Sequence, residues 1–350
     1  MRIVMIGPFG LSPKGTMRMR ALPLAQELAT RGHEVKLLMP PWHTPEQGAR
    51  SWQDGKVALE YVALGPKLPI IPYLTVTLRL FRKALAWEPD VIHCFKPKAY
   101  AGFVAWLVWL SKSLGLTRAR LVIDEDDWEG PGGWNALEPY SRPLQRVFAW
   151  QERWGMRHND ALTVASRTLE SLAWSLGISP HKVFYLPNGA VPRDRGDGAV
   201  VRAKYGLGQA PVILLYTRFF EYDIARIISV FQQVLGELPS ARLLVAGKGL
   251  FIKDDARFDR LVSKHQLGEQ VIRAGWVPQE RLPAYFAAAD LALYPMDDTL
   301  VNRTKCAVKL LDLLLAGIPV VADAVGQNTE YILHNETGLL VPLPQTPQLA

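Results

Sequence analysis

The 350 residues, 49% apolar and 21% charged, exceed what one hydrophobic core organises and fit two α/β domains of a soluble protein. Two cysteines, Cys94 and Cys306, exclude a disulfide framework and a cysteine-rich metal site, and point to a reducing, cytoplasmic setting. The net charge of +7 is uneven: Met1–Arg195 holds 25 Lys and Arg against 17 Asp and Glu, while Gly196–Ala350 holds 15 against 16, so the first half suits anionic partners.

The first strand, Arg2–Ile6, runs into GPFGLSPKGTMRMR, where Gly7 and Pro8 stop the apolar run before a signal-peptide core forms. Gly7, Gly10 and Gly15 let this loop approach a ligand closely, and a helix over Thr16–Thr30 aims free amides at it. The spacing is not G-x-G-x-x-G, and the acidic residue that NAD binding needs is missing. Strands follow at Glu34–Met39, Leu59–Leu64 and Asp90–Cys94, with a helix over Leu74–Ala86. In that helix Arg79, Arg82 and Lys83 sit among leucines. It reads first as a helix packed on a sheet with a solvated basic edge, and alternatively as a membrane-surface helix at the inner face of a membrane. The longest apolar run, around Ala99–Leu110 in a helix over Lys98–Leu114, falls short of the roughly 18 residues of a membrane span.

A strand over Arg120–Asp124 leads into LVIDEDDWEGPGGWN, which crowds Asp124, Glu125, Asp126 and Asp127 at a strand end. Like charges this close raise one another's pKa, a property useful in proton transfer or cation binding. Asp124-Glu125-Asp126 also spells D-x-D, a short divalent-metal pattern. Trp128 and Trp134 suit stacking on a sugar ring and core packing equally. Helices over Arg142–His158 and Arg167–Leu176, with strands over Ala161–Ala165 and Lys182–Tyr185, complete the first half. Pro192–Gly198 is charged, rich in Gly and Pro and without an apolar period. It reads as a linker dividing domains 1–195 and 196–350.

The second half predicts strands at Val212–Thr217, Ala241–Ala246, Val271–Ala274, Leu291–Tyr294 and Pro319–Ala322. Helices fall over Ile224–Leu238, Asp255–His265, Gln279–Ala288, Lys305–Leu315 and Thr329–His334. The alternation implies two Rossmann-like domains facing each other across a cleft, with ligands beyond the carboxyl ends of the strands. Arg218 stands at one such end, where a guanidinium grips a pyrophosphate. Gly247 and Gly249 follow the next strand. Thr304 is expected to cap a helix whose first turn carries Lys305 and Lys309, one turn apart on one face. Two lysines at the positive end of a helix are unfavourable unless an anion joins them. The chain ends on PLPQTPQLA, a loop about to enter another helix.

Several motifs in order make the chain resemble, over nearly its whole length, a GT-B-fold retaining glycosyltransferase of the large GT4 group. They are the Gly10–Gly15 loop, RGHEV at Arg31–Val35, PDVIH ending at His93, LPNG at Leu186–Gly189, Arg218, AGKG, the AADLALYP run ending at Pro295, and AGIPVVADAVGQNTEYI followed by TGLLVP. The resemblance implies a nucleotide-diphosphate sugar in the second domain and a glycan or lipid-linked acceptor against the first. It implies no metal and no further cofactor, because cations and helix amides stabilise the departing diphosphate. Arg218 matches the family's phosphate-binding arginine, and Gly15 its first-domain loop near the phosphates. Thr304 and Asp312 match the two glutamates of E-x7-E, at the donor sugar and the ribose. Gly326 and Glu330 match GG-x-x-E, and Asp126 falls where the family has a histidine. The chain departs at Thr304, at Asp126, and at Glu221-Tyr222-Asp223, where the family's lysine is missing and Lys305 or Lys309 is expected to supply the charge. These departures leave a second reading open, a catalytically degenerate nucleotide-sugar-binding module acting as a partner subunit. A sugar-nucleotide epimerase ranks below both, and no nucleic-acid motif is present.

Overall fold

The computed structural model describes residues 1–12, 15–65 and 71–342. Part of the Gly10–Gly15 loop, and the terminal PLPQTPQLA beyond Pro342, lie outside the described residues. The chain divides into two compact units, Met1–Asn188 with Thr304–Cys306, and Gly189–Arg303 with Ala307–Ala350. The division thus falls at Asn188/Gly189 rather than at 195/196.

The first unit is built on an eight-stranded sheet. Its strands are β1 (Arg2–Ile6), β2 (Glu34–Met39), β3 (Ser51–Asp54), β4 (Val57–Tyr61), β5 (Val91–Phe95), β6 (Arg120–Glu125), β7 (Ala161–Val164) and β8 (Val183–Tyr185). They lie in the order β3-β4-β2-β1-β5-β6-β7-β8, all parallel except β3 against β4. The β3–β4 hairpin was not expected; an Asp54-Gly55 dipeptide at its turn is the signal that could have found it. β-Branched and leucine-rich segments buried on both faces explain the parallel core. Met17, Ala21 and Ala25 pack on Met5, Leu37 and Leu59 from one side. The expected helix over Thr16–Thr30 opens as a π-helical turn, Met17–Ala21, before α1 (Leu22–Thr30). The remaining helices are α2 (Ile71–Ala86), α3 (Ala99–Ser113), α4 (Arg142–Arg157) and α5 (Arg167–Ser175).

The second unit has a six-stranded parallel sheet of β9 (Val212–Tyr216), β10 (Arg242–Ala246), β11 (Val271–Gly275), β12 (Leu291–Tyr294), β13 (Val320–Asp323) and β14 (Gly338–Val341), in the order β11-β10-β9-β12-β13-β14. Strand alternation buries Leu214 and Leu244 with Phe286 and Leu310 on one face, and Leu215 and Leu243 with Ile228 and Phe231 on the other. Helices are α6 (Gly198–Lys204), α7 (Ile224–Glu237), α8 (Ile252–Lys264), α9 (Leu282–Ala288), α10 (Leu300–Thr304), α11 (Val308–Leu315) and α12 (Asn328–Tyr331). α6 begins where the linker was expected to end, with the Asp197 side chain accepting from Ala199 N.

The expected helix over Lys305–Leu315 starts only at Val308, as α11; Lys305–Ala307 are non-helical and separate it from the short α10. α10 starts on its own cap, Asn302 N donating to Thr299 Oγ1 at 3.3 Å. α11 is preceded by Ala307 at φ −87°, ψ 95°, with no side-chain cap. Thr304 therefore ends α10 instead of capping α11, and Lys305 lies in the break, not one helical turn from Lys309. Burial of Cys306 and Ala307 overrides the local preference for starting the helix at Lys305. Strand order reverses between β1 and β5 and between β9 and β12, and sheets of this kind bind ligands beyond the carboxyl ends at such points. Among the described residues no helix is long and apolar enough to cross a membrane.

Candidate functional site

In the second unit the reversal point is framed by the loop after β9. Thr217 Oγ1 accepts from Phe219 N and lies 2.8 Å from Tyr222 Oη, and Phe219 takes a left-handed φ of 65°. This tight loop sends Arg218 outward. Its Nε is 3.6 Å from Glu221 Oε1, its guanidinium lies over the Phe220 ring, and Nε has no hydrogen-bond partner among the described residues. After β10, Gly247 adopts φ +130°, and a Cβ there would stand 2.0 Å from the Thr217 carbonyl oxygen. Only glycine lets the two loops come this close. Gly247 N also donates to the Gly275 carbonyl at 2.7 Å.

Lys309, in the first turn of α11, places Nζ 4.8 Å from the Tyr216 ring centroid. Arg218 and Lys309 therefore both gather at the end of β9. Asp312 is buried one turn further on, and burial pushes its carboxyl up against the opposing pull of Arg193 and Lys309. Arg193 Nη2 lies 3.9 Å from Asp312 Oδ1. Burial, and then Asp312, push the Tyr216 phenol up to about 12. Arg193 is a third cation of this cluster that the sequence hid inside an apparent linker. Gly326, at φ +53°, sits where a Cβ would be 2.9 Å from the carbonyl oxygens of Asn302 and Arg303. Glu330 is exposed on α12, whereas Thr304 and Lys305 are buried and group with the first unit.

The residues replacing the family's lysine offer no cation. Tyr222 is tied to Thr217, and Asp223 caps α7 through Ala225 N and pairs with Arg257. Arg226 is nearby in sequence, but Asp323 takes two of its hydrogen bonds, at 2.9 and 2.8 Å, and Asp297 another.

In the first unit the acidic run is buried and countered by cations. Arg20 grips Asp124 through Nε–Oδ1 at 2.6 Å and Nη2–Oδ2 at 2.7 Å. Arg20 Nη1 donates to the Leu186 carbonyl and to Asn188 Oδ1. Thr163 also donates to Asp124, and His93, beside them, is driven down to about 4 by burial and so stays neutral. Asp126 accepts from Thr16 Oγ1 at 2.8 Å and lies 3.3 Å from Lys96 Nζ. Burial, against the pull of Lys96, raises its carboxyl to about 6. Asp127 goes the other way: burial pushes it up, but Lys96 at 2.8 Å holds it low. Lys98 donates to Glu129 and Asn135. Both Glu125 carboxylate oxygens are buried without a hydrogen-bond partner among the described residues, as is Oε2 of Glu152. Burial and then Glu152 push Glu125 well up. The D-x-D pair is thus occupied by protein donors. Among the described residues no group of three or more His, Cys, Asp or Glu is placed to hold a metal ion. Gly15 is exposed at the start of the π-helical turn, its carbonyl accepting from Met19 N.

Residues 15–189 match the Glycosyl transferase 4-like domain, and residues 210–350 the Glycosyl transferases group 1 family. The chain belongs to the glycosyltransferases with a Glycosyl transferase 4-like domain. It is 26% identical over 328 residues to a GDP-mannose-dependent alpha-(1-6)-phosphatidylinositol monomannoside mannosyltransferase of Mycobacterium tuberculosis, covering 90% of this chain and 78% of the relative. A GDP-mannose-dependent alpha-mannosyltransferase of the same species is 22% identical over 333 residues, with coverage of 91% and 78%. Among solved structures, sucrose-phosphate synthase of Thermosynechococcus elongatus superposes with a TM-score of 0.75 at 19% identity, over 99% of this chain and 86% of that one. WaaG, a glycosyltransferase of lipopolysaccharide biosynthesis, gives 0.67 at 17%, over 98% and 86%. The two parallel-sheet domains of this glycosyltransferase have the GT-B fold.

Proposed function

We propose that this glycosyltransferase moves a hexose, with retention of anomeric configuration and without a metal, from a nucleotide-diphosphate sugar to a lipid-linked or glycan acceptor of the cell envelope. GDP-mannose is the first donor to try, since the mannosyltransferases of M. tuberculosis are similar along most of their length. The observation that carries the reading is the approach of both Arg218 and Lys309 to Tyr216 at the end of β9, beside Gly247. These cations, with the first-turn amides of α11, would neutralise the departing diphosphate. That is the role a divalent cation fills in metal-dependent transferases. Asp312 would take the ribose, Gly326 and Glu330 the donor sugar side, and Asp126, Gly15 and the basic first unit the acceptor side. No cofactor beyond the donor is needed, and the expected place of action is the cytoplasmic side of the membrane.

The test is calorimetric titration of GDP-mannose, UDP-glucose and ADP-glucose, without metal, into the wild-type protein and Arg218→Ala. Tight binding of one nucleotide sugar, lost in the variant, is expected; no binding of any of them by a folded sample overturns the donor site. The engagement of Tyr222 and Asp223 away from any phosphate favours a second reading, a donor-binding module without turnover acting as a partner subunit. Binding of donor with no product from any lipid-linked or glycan acceptor would establish it.

A further inference from the structure

We propose that the outer face of α2, α3 and α4 docks on an anionic lipid bilayer. These helices are successive right-handed crossovers in one direction along the sheet, so they cover the same face of it, with α3 packed against both neighbours. α4 exposes Arg142, Arg146, Arg153 and Arg157. Among the described residues none of the four is paired with a carboxylate, and the one acid of the helix, Glu152, is buried. Arg202, Arg257, Arg273 and Arg303 of the second unit each have an acidic partner. Four exposed arginines without a carboxylate partner among the described residues thus share this one helix.

Apolar side chains run between these arginines. Trp150 is 48% exposed with Val147 beside it, and its ring lies 6.3 Å from Trp154, which lies 5.6 Å from Trp109 of α3. α3 adds exposed Phe103 and Trp106, and α2 adds Leu74, 60% exposed, Leu78 and Arg82 at intervals of four. Indole rings and arginines side by side suit the headgroup layer, where a ring meets acyl chain and guanidinium meets phosphate. A second copy of the chain fits poorly, because a two-fold contact would set these arginines against themselves. A nucleic acid would use the rings for stacking but leave Leu74, Leu78 and Val147 in water.

The test is flotation of the full chain with phosphatidylcholine vesicles, with or without one quarter phosphatidylglycerol. Two double variants, Trp106→Ser/Trp150→Ser and Arg146→Glu/Arg153→Glu, are compared with a control, Arg118→Glu/Trp276→Ser. Binding only to the anionic vesicles is expected, with a blue shift of tryptophan emission. Each α3–α4 variant should weaken it about ten-fold or more, with an unchanged melting temperature, while the control binds as wild type. Equal binding by all variants, or no vesicle binding by the wild type, overturns the proposal. So does conversion of a dimer to monomer by the variants without a vesicle effect, or tighter binding of duplex DNA than of vesicles. The proposal stands apart from the donor site: the α4 variants should keep donor affinity, and Arg218→Ala should keep vesicle binding.

Discussion

Arg20 and Asp124 face each other in a buried, two-pronged pair, Nε–Oδ1 at 2.6 Å and Nη2–Oδ2 at 2.7 Å, that ties the turn after β1 to the end of β6. Truncating one member of such a pair leaves the other charge buried and alone, which costs about 3–5 kcal/mol. Arg20→Ala should destabilise the first unit by that order, read as a lower urea midpoint. A loss below about 1 kcal/mol would mean that water reaches Asp124 readily.

Lys309 stacks on Tyr216 in the same cluster as Arg218. A charge-assisted hydrogen bond to phosphate is worth about 1.5–3 kcal/mol. Lys309→Ala should therefore weaken donor binding ten-fold or more with little change in melting temperature, and Lys309→Arg should restore most of it. Donor affinity equal to wild type in Lys309→Ala would remove Lys309 from the site.

Gly247→Ala combines a left-handed φ with a Cβ 2.0 Å from the Thr217 carbonyl. Strain and overpacking together should cost about 2–4 kcal/mol and push the loop carrying Arg218 out of place. Thermal melting and donor titration should both fall. A variant that melts as wild type but binds no donor would show that the loop yields without cost to the fold.

Glu125 has a folded pKa well above its ordinary 4.5, through burial and then Glu152. The folded unit therefore keeps a proton that the unfolded chain gives up above about that value. The resulting penalty is absent below the unfolded pKa and grows as pH rises towards the folded one. Glu125→Gln should match wild type in acid and become the more stable protein at pH 8. The gap should widen by at most about 1.4 kcal/mol for each pH unit per proton. Parallel stability–pH curves for the two proteins would contradict this ionisation.

Much of the scaffold was legible locally. Runs such as RIVMI and VILLY, buried on both faces, define β1 and β9 with no knowledge of their neighbours, and Arg218 follows from its place after β9. What escaped depends on distant partners. Nothing within a few residues of Arg193 says that it approaches Asp312, and its charged, Pro-rich surroundings argue for a linker. The helix expected from Lys305 starts only at Val308, because burial of Cys306 and Ala307 outweighs helix propensity there. The crowded acids at Asp124–Asp127 were visible, but their countercharges come from elsewhere, Arg20 from the π-helical turn Met17–Ala21 and Lys96 from the end of β5. Mutual repulsion alone therefore described only half of their electrostatics.

The contacts of Arg20 also fix an order of events during synthesis. Its guanidinium is completed by Asp124, 104 positions later, by the Leu186 carbonyl, 166 positions later, and by Asn188 Oδ1, 168 positions later. A ribosome delivering the chain from its amino end has to release almost the entire first unit before that side chain finds its last partner. Until then an arginine and an acidic strand end remain unsatisfied in a growing sheet with open edges. The first unit can therefore lock only late, and the nascent chain carries an aggregation-prone interval that a chaperone would shorten.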